Sequence, residues 1–315
     1  MSTGTAQFGR EMSTKGAFVR QDSAFRDRVT ADGSSGFPAA AGRYHLYVSL
    51  ACPWAHRAMI VRELKGLQDA IAMTVVDPLR DERGWRFEPG RPDPLHGWTY
   101  LSEGYLASDP SFAGRVNVPV LWDTETGRIL NNESADIIEM LAAEFDAFAA
   151  RPDLELWPEE LRPELTELNA WIYDEVNNGV YKSGFATTQE AYAAAVFPLF
   201  AALDRLEEHL TTRRYLAGAP QPTLADWRLF TTLVRFDAVY VTHFKCNLRR
   251  IADFPALHAY LRDLYQQPGV AATVDFDHIK RHYFMTHGSI NPHRVVPAGP
   301  ILDLDAPHER EAVGA

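Results

Sequence analysis

Hydrophobic positions along the chain change their spacing once, near residue 150. Before it, short β-branched and aromatic runs alternate with turn residues; after it, apolar residues recur every three or four positions. Residues 1–40 read as an irregular arm, with Gly33-Ser34-Ser35-Gly36 near its end and Pro38 closing it. Arg43-Tyr-His-Leu-Tyr-Val-Ser-Leu50, aromatic and partly alternating, reads as a strand. Pro53 suits a first helical position, and Trp54, Ala58, Val61 and Leu64 share one face of a helix that stops at Gly66. Ile71-Ala-Met-Thr-Val-Val76 is a second strand, so the opening is βαβ. Residues 77–114 form a long loop crowded with Pro, Gly and aromatics, a length that is usually functional or mobile. Then Val118–Asp123 and Arg128–Leu130 form two strands around the turn Thr124-Glu-Thr-Gly127, and a helix runs from Ser134 to about Phe145. Pro119 inside the first of these marks an edge or a special backbone position, with a cis bond possible.

Residues 146–163, with Pro152, Pro158 and Pro163, read as a linker. Helices follow at about 160–178, 188–212, 224–241, 254–266 and 270–283, before an irregular segment from 286 to 315. Thr223-Leu-Ala-Asp226 has the spacing of a reciprocal cap for the third of them. The implied domains are the arm 1–40, an α+β domain over 41–145 and an all-α domain over 160–315 that includes the irregular tail.

Composition narrows the function classes. The chain has 315 residues, enough for two domains, and its charge is 31 − 42 = −11. That balance argues against nucleic acid or an anionic membrane as the main partner. No apolar run approaches the length of a membrane span, and the first forty residues contain no apolar core of a secretion signal. Two cysteines, Cys52 and Cys246, are too few for a disulfide framework and fit a reducing cytosol.

Cys52 is the sharpest chemical feature. A cysteine just before a helix faces backbone N–H groups and the positive end of the dipole, which favour thiolate over thiol; His56 and Arg57 add positive potential. A buried, inert cysteine is the alternative. A dithiol redox motif would carry a second cysteine at position 55, where this chain has Ala55. Any mixed disulfide at Cys52 therefore needs an external thiol. Among 11 histidines, His278 and His282 have helical i, i+4 spacing, but no cysteine or acidic cluster completes a metal set, and no metal is expected. No Gly-rich phosphate loop is present.

The βαβ–ββα order, with Cys-Pro at the first helix, Val-Pro in the third strand and Glu-Ser at the last helix, resembles the thioredoxin-like half of glutathione transferases. The helical half with Thr-Leu-Ala-Asp resembles their C-terminal domain. More narrowly, Cys52-Pro-Trp-Ala-His-Arg57, Gly179-Val-Tyr181-Lys, Ala186-Thr-Thr-Gln-Glu190, Asp237-Ala-Val-Tyr240, His243-Phe-Lys-Cys-Asn247 and Ile279-Lys-Arg-His-Tyr283 resemble the xi class, the glutathionyl-hydroquinone reductases. The resemblance implies glutathione as co-substrate, glutathionyl-hydroquinones as substrates and a homodimer. It implies Cys52 as nucleophile, Tyr181 as proton donor, and Tyr240 and Tyr283 as hydroxyls holding the thiolate. Trp85, Arg115, Val116, Asn117, Val118, Glu133 and Ser134 match the family's glutathione-contacting positions. Phe284 departs from the pattern, standing where the family often has a further tyrosine. A thiol transferase or dehydroascorbate-type reductase, and a non-catalytic docking module, are the alternative readings.

Overall fold

The computed structural model describes residues 11–314, and the chain divides into two compact units. Of the described residues, the first unit comprises 11, 20–155 and 273–288, and the second comprises 12–19, 156–272 and 289–314.

In the first unit, β1 (Tyr44–Val48), α1 (Pro53–Lys65), β2 (Ala72–Val75), β3 (Arg80–Asp81), β4 (Gly84–Trp85), α2 (Leu101–Ser108), β5 (Val120–Asp123), β6 (Arg128–Asn131) and α3 (Ser134–Ala143) follow in order. The main sheet has strand order β2-β1-β5-β6, with β1 parallel to β2 and antiparallel to β5. All five β1 residues are buried, so the partial alternation of its sequence does not mark one wet face. Tyr44 on one side meets Phe145 edge-on just after α3. Tyr47, pointing the other way, packs on Phe87 and Trp98 and donates its hydroxyl to Asp93 at 2.8 Å. A strand covered on both faces reads as a nearly continuous apolar run.

The cover on that second face comes from residues 77–114. They are not an unstructured loop: they contain the β3–β4 hairpin and α2, whose start is a reciprocal cap between Tyr100 and Glu103. Residues 25–29 of the arm are likewise built onto the sheet edge. Asp27 N–H donates to Leu130 O, Asn132 N–H to Phe25 O, and Val29 is fully buried. Helix α1 starts at Pro53 and ends at Gly66, whose left-handed φ of 67° lets its N–H reach the last carbonyls. The Val118-Pro119 bond is cis.

The second unit holds α4 (Arg162–Ile172), α5 (Gly179–Gly184), α6 (Gln189–Leu210), α7 (Leu224–Arg235) and α8 (Pro255–Tyr265). The expected helices at 160–178 and 224–241 each end in a π-helical turn, Tyr173–Asn177 and Phe236–Tyr240. Short α5 was not expected; its glycines at 179 and 184 mask it, and Gly184 lies where a Cβ would fall 2.1 Å from the Phe244 ring. The Thr223–Asp226 cap is present, and the fully buried Asp226 also accepts from Leu216 N–H and the Tyr260 hydroxyl. Burial raises the carboxyl pKa of Asp226, against which these donors act. Helix α9 (Phe276–Thr286) starts later than the periodicity suggested, because Asp275 caps it by accepting from His278 N–H. It belongs to the first unit, not to the helical one expected to hold it.

Candidate active site

Cys52 occupies the N-cap of α1 with extended backbone, φ −77° and ψ 121°. Pro53 takes the first helical position, where its missing N–H costs nothing, and the helix dipole puts its positive end at this turn. The side chain is 9% exposed, and its Sγ–H points to Val118 O at 3.5 Å. That carbonyl ends the segment 115–118 immediately before cis-Pro119, so the sulfur and the lead-in to β5 share one corner of the sheet.

The expected contact segment is held from several sides. Arg115 pairs with Glu11, and its N–H donates to Gln21 Oε1 at 3.3 Å. Val116 O accepts from Arg80 Nη2 at 3.1 Å. The Asn117 carbonyl and side-chain oxygens both accept from the Tyr105 hydroxyl, and Asn132 Nδ2 donates to the same side chain at 2.9 Å. A short chain segment fixed by five side chains presents its remaining backbone groups in one orientation.

Trp85 sits opposite Arg80 in the β3–β4 register, with the Arg80 guanidinium 5.7 Å from its ring centroid. The other support of Trp85 is His282 on α9, stacked at 4.8 Å and 23°. His282 Nδ1–H donates to Pro78 O at 2.7 Å, and burial drops its pKa to about 3, so the ring is neutral. His278, one turn earlier, is pushed down to about 4 by burial and lies 3.5 Å from Ser49 Oγ. The i, i+4 pair thus anchors α9 within the first unit. No group of three or more metal-ligating side chains occurs among the described residues. Tyr283 is buried in this unit too, its ring edge-on to His282 and His287.

Glu133 and Ser134 open α3. Glu133 is its N-cap, accepting from Ala135 N–H at 3.1 Å, and its second oxygen accepts from Ser23 Oγ at 2.9 Å. Ser134 Oγ accepts from Arg57 Nη1 at 3.3 Å. Arg57 is buried, with its guanidinium 4.5 Å from the Trp54 ring centroid. A carboxylate beside a helix N-terminus backed by a buried arginine offers a cation contact and an anion contact side by side.

The first unit therefore gathers Cys52, Trp85, Arg115, Val116, Asn117, Val118, Glu133, Ser134 and Tyr283. Tyr181 and Tyr240 belong to the second unit, where their rings lie 6.1 Å apart and both contact Phe244. Cys246 is there as well, fully buried, and burial pushes its thiol well above the ordinary range. Both cysteines are buried, Cys52 at the start of α1 and Cys246 among the helices of the second unit. Arg80 and Tyr105 were missed in the sequence. Both fall in the stretch taken as a loop, and their reach to 116–117 is a long-range contact that no local spacing encodes.

Comparison with known proteins gives a consistent result. The family models for the glutathione S-transferase N-terminal and C-terminal domains match residues 51–144 and 189–263. The glutathionyl-hydroquinone reductase YqjG of Escherichia coli is 53% identical over 95% of this chain and 94% of its own length. The glutathionyl-hydroquinone reductase PcpF of Sphingobium chlorophenolicum is 51% identical over 93% of this chain and 92% of its own. Among solved structures, the xi glutathione transferase of Phanerochaete chrysosporium superposes with a TM-score of 0.90 at 50% identity, covering 95% of this chain and 98% of that one. The glutathione-bound YqjG structure superposes with a TM-score of 0.88 at 53% identity, over 92% of this chain and 96% of that one. With a mixed sheet flanked by helices, a helical second unit and this likeness along nearly its whole length, the chain belongs to the xi-class glutathione transferases, the glutathionyl-hydroquinone reductase family.

Proposed function

We propose that this enzyme removes glutathione reductively from glutathionyl-hydroquinones through a mixed disulfide on Cys52. The observation that carries the proposal is Cys52 at the N-cap of α1 with Ala55, not a second cysteine, one turn on. Cys52 thiolate attacks the glutathionyl sulfur. The S–S bond forms as the S–C(aryl) bond breaks, and the aryl carbon keeps the electron pair and takes a proton from Tyr181. Hydroquinone leaves, and the enzyme holds Cys52–S–S–glutathione. A glutathione thiolate then attacks the glutathionyl sulfur, releasing oxidised glutathione and the Cys52 thiolate. Over the cycle the two glutathione sulfurs, one entering as the aryl thioether and one as a thiol, are oxidised to the disulfide and the ring carbon is reduced. With no resolving thiol in the first turn, the second glutathione is obligatory.

In this scheme Tyr240 and Tyr283 supply hydroxyls to the thiolate. Trp85 and the backbone of Arg115, Val116, Asn117 and Val118 hold the middle of glutathione. Glu133 takes the γ-glutamyl ammonium, while Ser134 and the α3 N-terminus take its carboxylate. The enzyme acts as a cytoplasmic homodimer, which light scattering tests against the 35.4 kDa of one chain. No helix among the described residues is long and apolar enough to cross a membrane.

The test is Cys52→Ser. Turnover of a glutathionyl-hydroquinone falls to the uncatalysed level while glutathione binding persists, and intact-mass analysis after oxidised glutathione shows one adduct on the native chain and none on the variant. Substantial residual turnover would refute the covalent route.

A further inference from the structure

Tyr181 sits on α5, a helix of only six residues, and the chain leaves it at Phe185, whose N–H donates to Tyr181 O at 3.0 Å. A helix that short is held by the packing around it more than by its own bonds. That packing is aromatic. The Tyr181 ring lies 5.4 Å from Phe244 and 6.2 Å from Phe185, and those two rings are 5.1 Å apart, so all three meet. Phe244 is well fixed: it is fully buried, stacks on Tyr240 at 5.5 Å and 9°, and occupies the room left by the missing side chain of Gly184. Phe185 is half-buried and stands at the helix end, where α5 itself does least to hold it.

A ring from the arm covers it. Phe18 is buried and lies 5.3 Å from Phe185, in the same unit. Residues 12–18 form a tight hairpin: Met12 bridges Phe18 antiparallel, Ser13 N–H donates to Ala17 O at 2.8 Å, and Ala17 N–H donates to Ser13 Oγ at 3.0 Å. Its turn is seated on the residues that join α5 to α6. Gly16 O accepts from Thr187 N–H at 3.0 Å, and Lys15 O accepts from Thr188 Oγ1 at 3.2 Å. Only glycine suits this seat, because φ is 78° and a Cβ would fall 2.6 Å from Thr187 Oγ1. Thr188 in turn caps α6 by accepting from Ala191 N–H. The hairpin therefore holds the chain just after α5 by hydrogen bonds and the last ring of α5 by contact.

We infer that Phe18 is a positioning residue of the reaction: the hairpin 12–18 clamps Phe185 and, through that ring, sets the orientation of Tyr181 for proton delivery to the aryl carbon. This role rests on Tyr181 being the proton donor. Proton transfer needs donor and acceptor within hydrogen-bond reach, and a displacement of about 1 Å costs on the order of a hundredfold in rate. A ring that fixes its neighbour's tilt therefore acts on the chemistry without touching the substrate.

The test times the two half-reactions separately in the full chain. Tyr181 gives its proton only in the first, so Phe18→Ala slows single-turnover release of hydroquinone from a glutathionyl-hydroquinone by roughly tenfold or more. Glutathione reduces the preformed Cys52–glutathione disulfide of the same variant at the native rate, read by intact mass, which a general loss of structure would not allow. In a Tyr181→Phe background, where no proton donor remains to be positioned, Phe18→Ala slows hydroquinone release by less than about twofold further. Native release in a folded Phe18→Ala, equal slowing of both half-reactions, or full additivity with Tyr181→Phe overturns the inference. Should Phe18→Ala not fold, Gly16→Ala, which pushes the turn off Thr187, is held to the same three readings. Native release in Tyr181→Phe sinks the proton-donor reading, whereas slow release there beside native release in Phe18→Ala sinks only the role of Phe18.

Discussion

Glu133 carries two duties on one carboxylate, and substitution separates them. Its Oε1 caps α3 through Ala135 N–H, its Oε2 ties down Ser23 of the arm, and in the proposed complex its charge meets the γ-glutamyl ammonium. Glu133→Gln keeps an acceptor for the cap and changes only the charge. Stability then falls by no more than about 0.3–1 kcal/mol, the usual effect of a carboxylate at a helix N-terminus. The ammonium contact is lost, and a hydrogen bond to a charged group is worth about 1.5–3 kcal/mol, so glutathione binds roughly 10- to 150-fold more weakly. Glu133→Ala removes the cap as well. An N-cap loss of about 1 kcal/mol plus the Ser23 bond gives about 1–2 kcal/mol, a fall of roughly 2–8 °C in the melting temperature of the first unit. Titration calorimetry with reduced glutathione reads the first effect and calorimetric melting the second. If Glu133→Gln binds glutathione as tightly as the native chain, the ammonium assignment is wrong. If Glu133→Ala melts unchanged, the capping bond contributes nothing and the energetic reading of α3 fails.

Ala55→Cys creates a Cys-Pro-Trp-Cys first turn whose sulfurs can close on each other, so resolution of the mixed disulfide becomes intramolecular. Deglutathionylation of the quinone adduct slows and intact mass shows the loss of two hydrogens; persistence of the glutathione adduct alone would count against the N-cap placement of Cys52. The buried pair Arg43–Asp123 gives an acid dependence. Burial of Asp123 opposes its ionisation, but two bonds from Arg43, at 2.8 and 2.9 Å, and further donors hold its pKa below the ordinary carboxylate value. A depressed folded pKa contributes stability that is present above the unfolded value, about 4, and lost as pH falls through the folded one. Acid unfolding of the first unit is therefore shallower in Asp123→Asn than in the native chain, and equal slopes below pH 4 would exclude the pair as its cause.

Much of this molecule is readable from local rules. Pro53 and Gly66 bound α1 because proline is free of cost at a helix start and glycine adopts φ 67° at its end. Thr223 and Asp226 announce α7 through a bond pattern confined to four residues. Cys52 is conspicuous for the same reason, since a helix start is a local event with a local effect on a thiol. The residues that complete its surroundings are not local. Residues 77–114 look like a loop because their hairpin strands are two residues each, too short to show a period, and their aromatics are explained only by the second face of β1 that they cover. Helix α9 shows its own periodicity, but nothing in 276–286 says that it joins the sheet-bearing unit and not the helices beside it in sequence; the His282 bond to Pro78 spans 204 positions. Arg80 is one arginine among many until the fold buries it and brings Val116 to its guanidinium. Element type follows from the short-range periodicity of the chain, whereas the surroundings of the cysteine are made by segments such as 115–118 that reach it only when the chain closes.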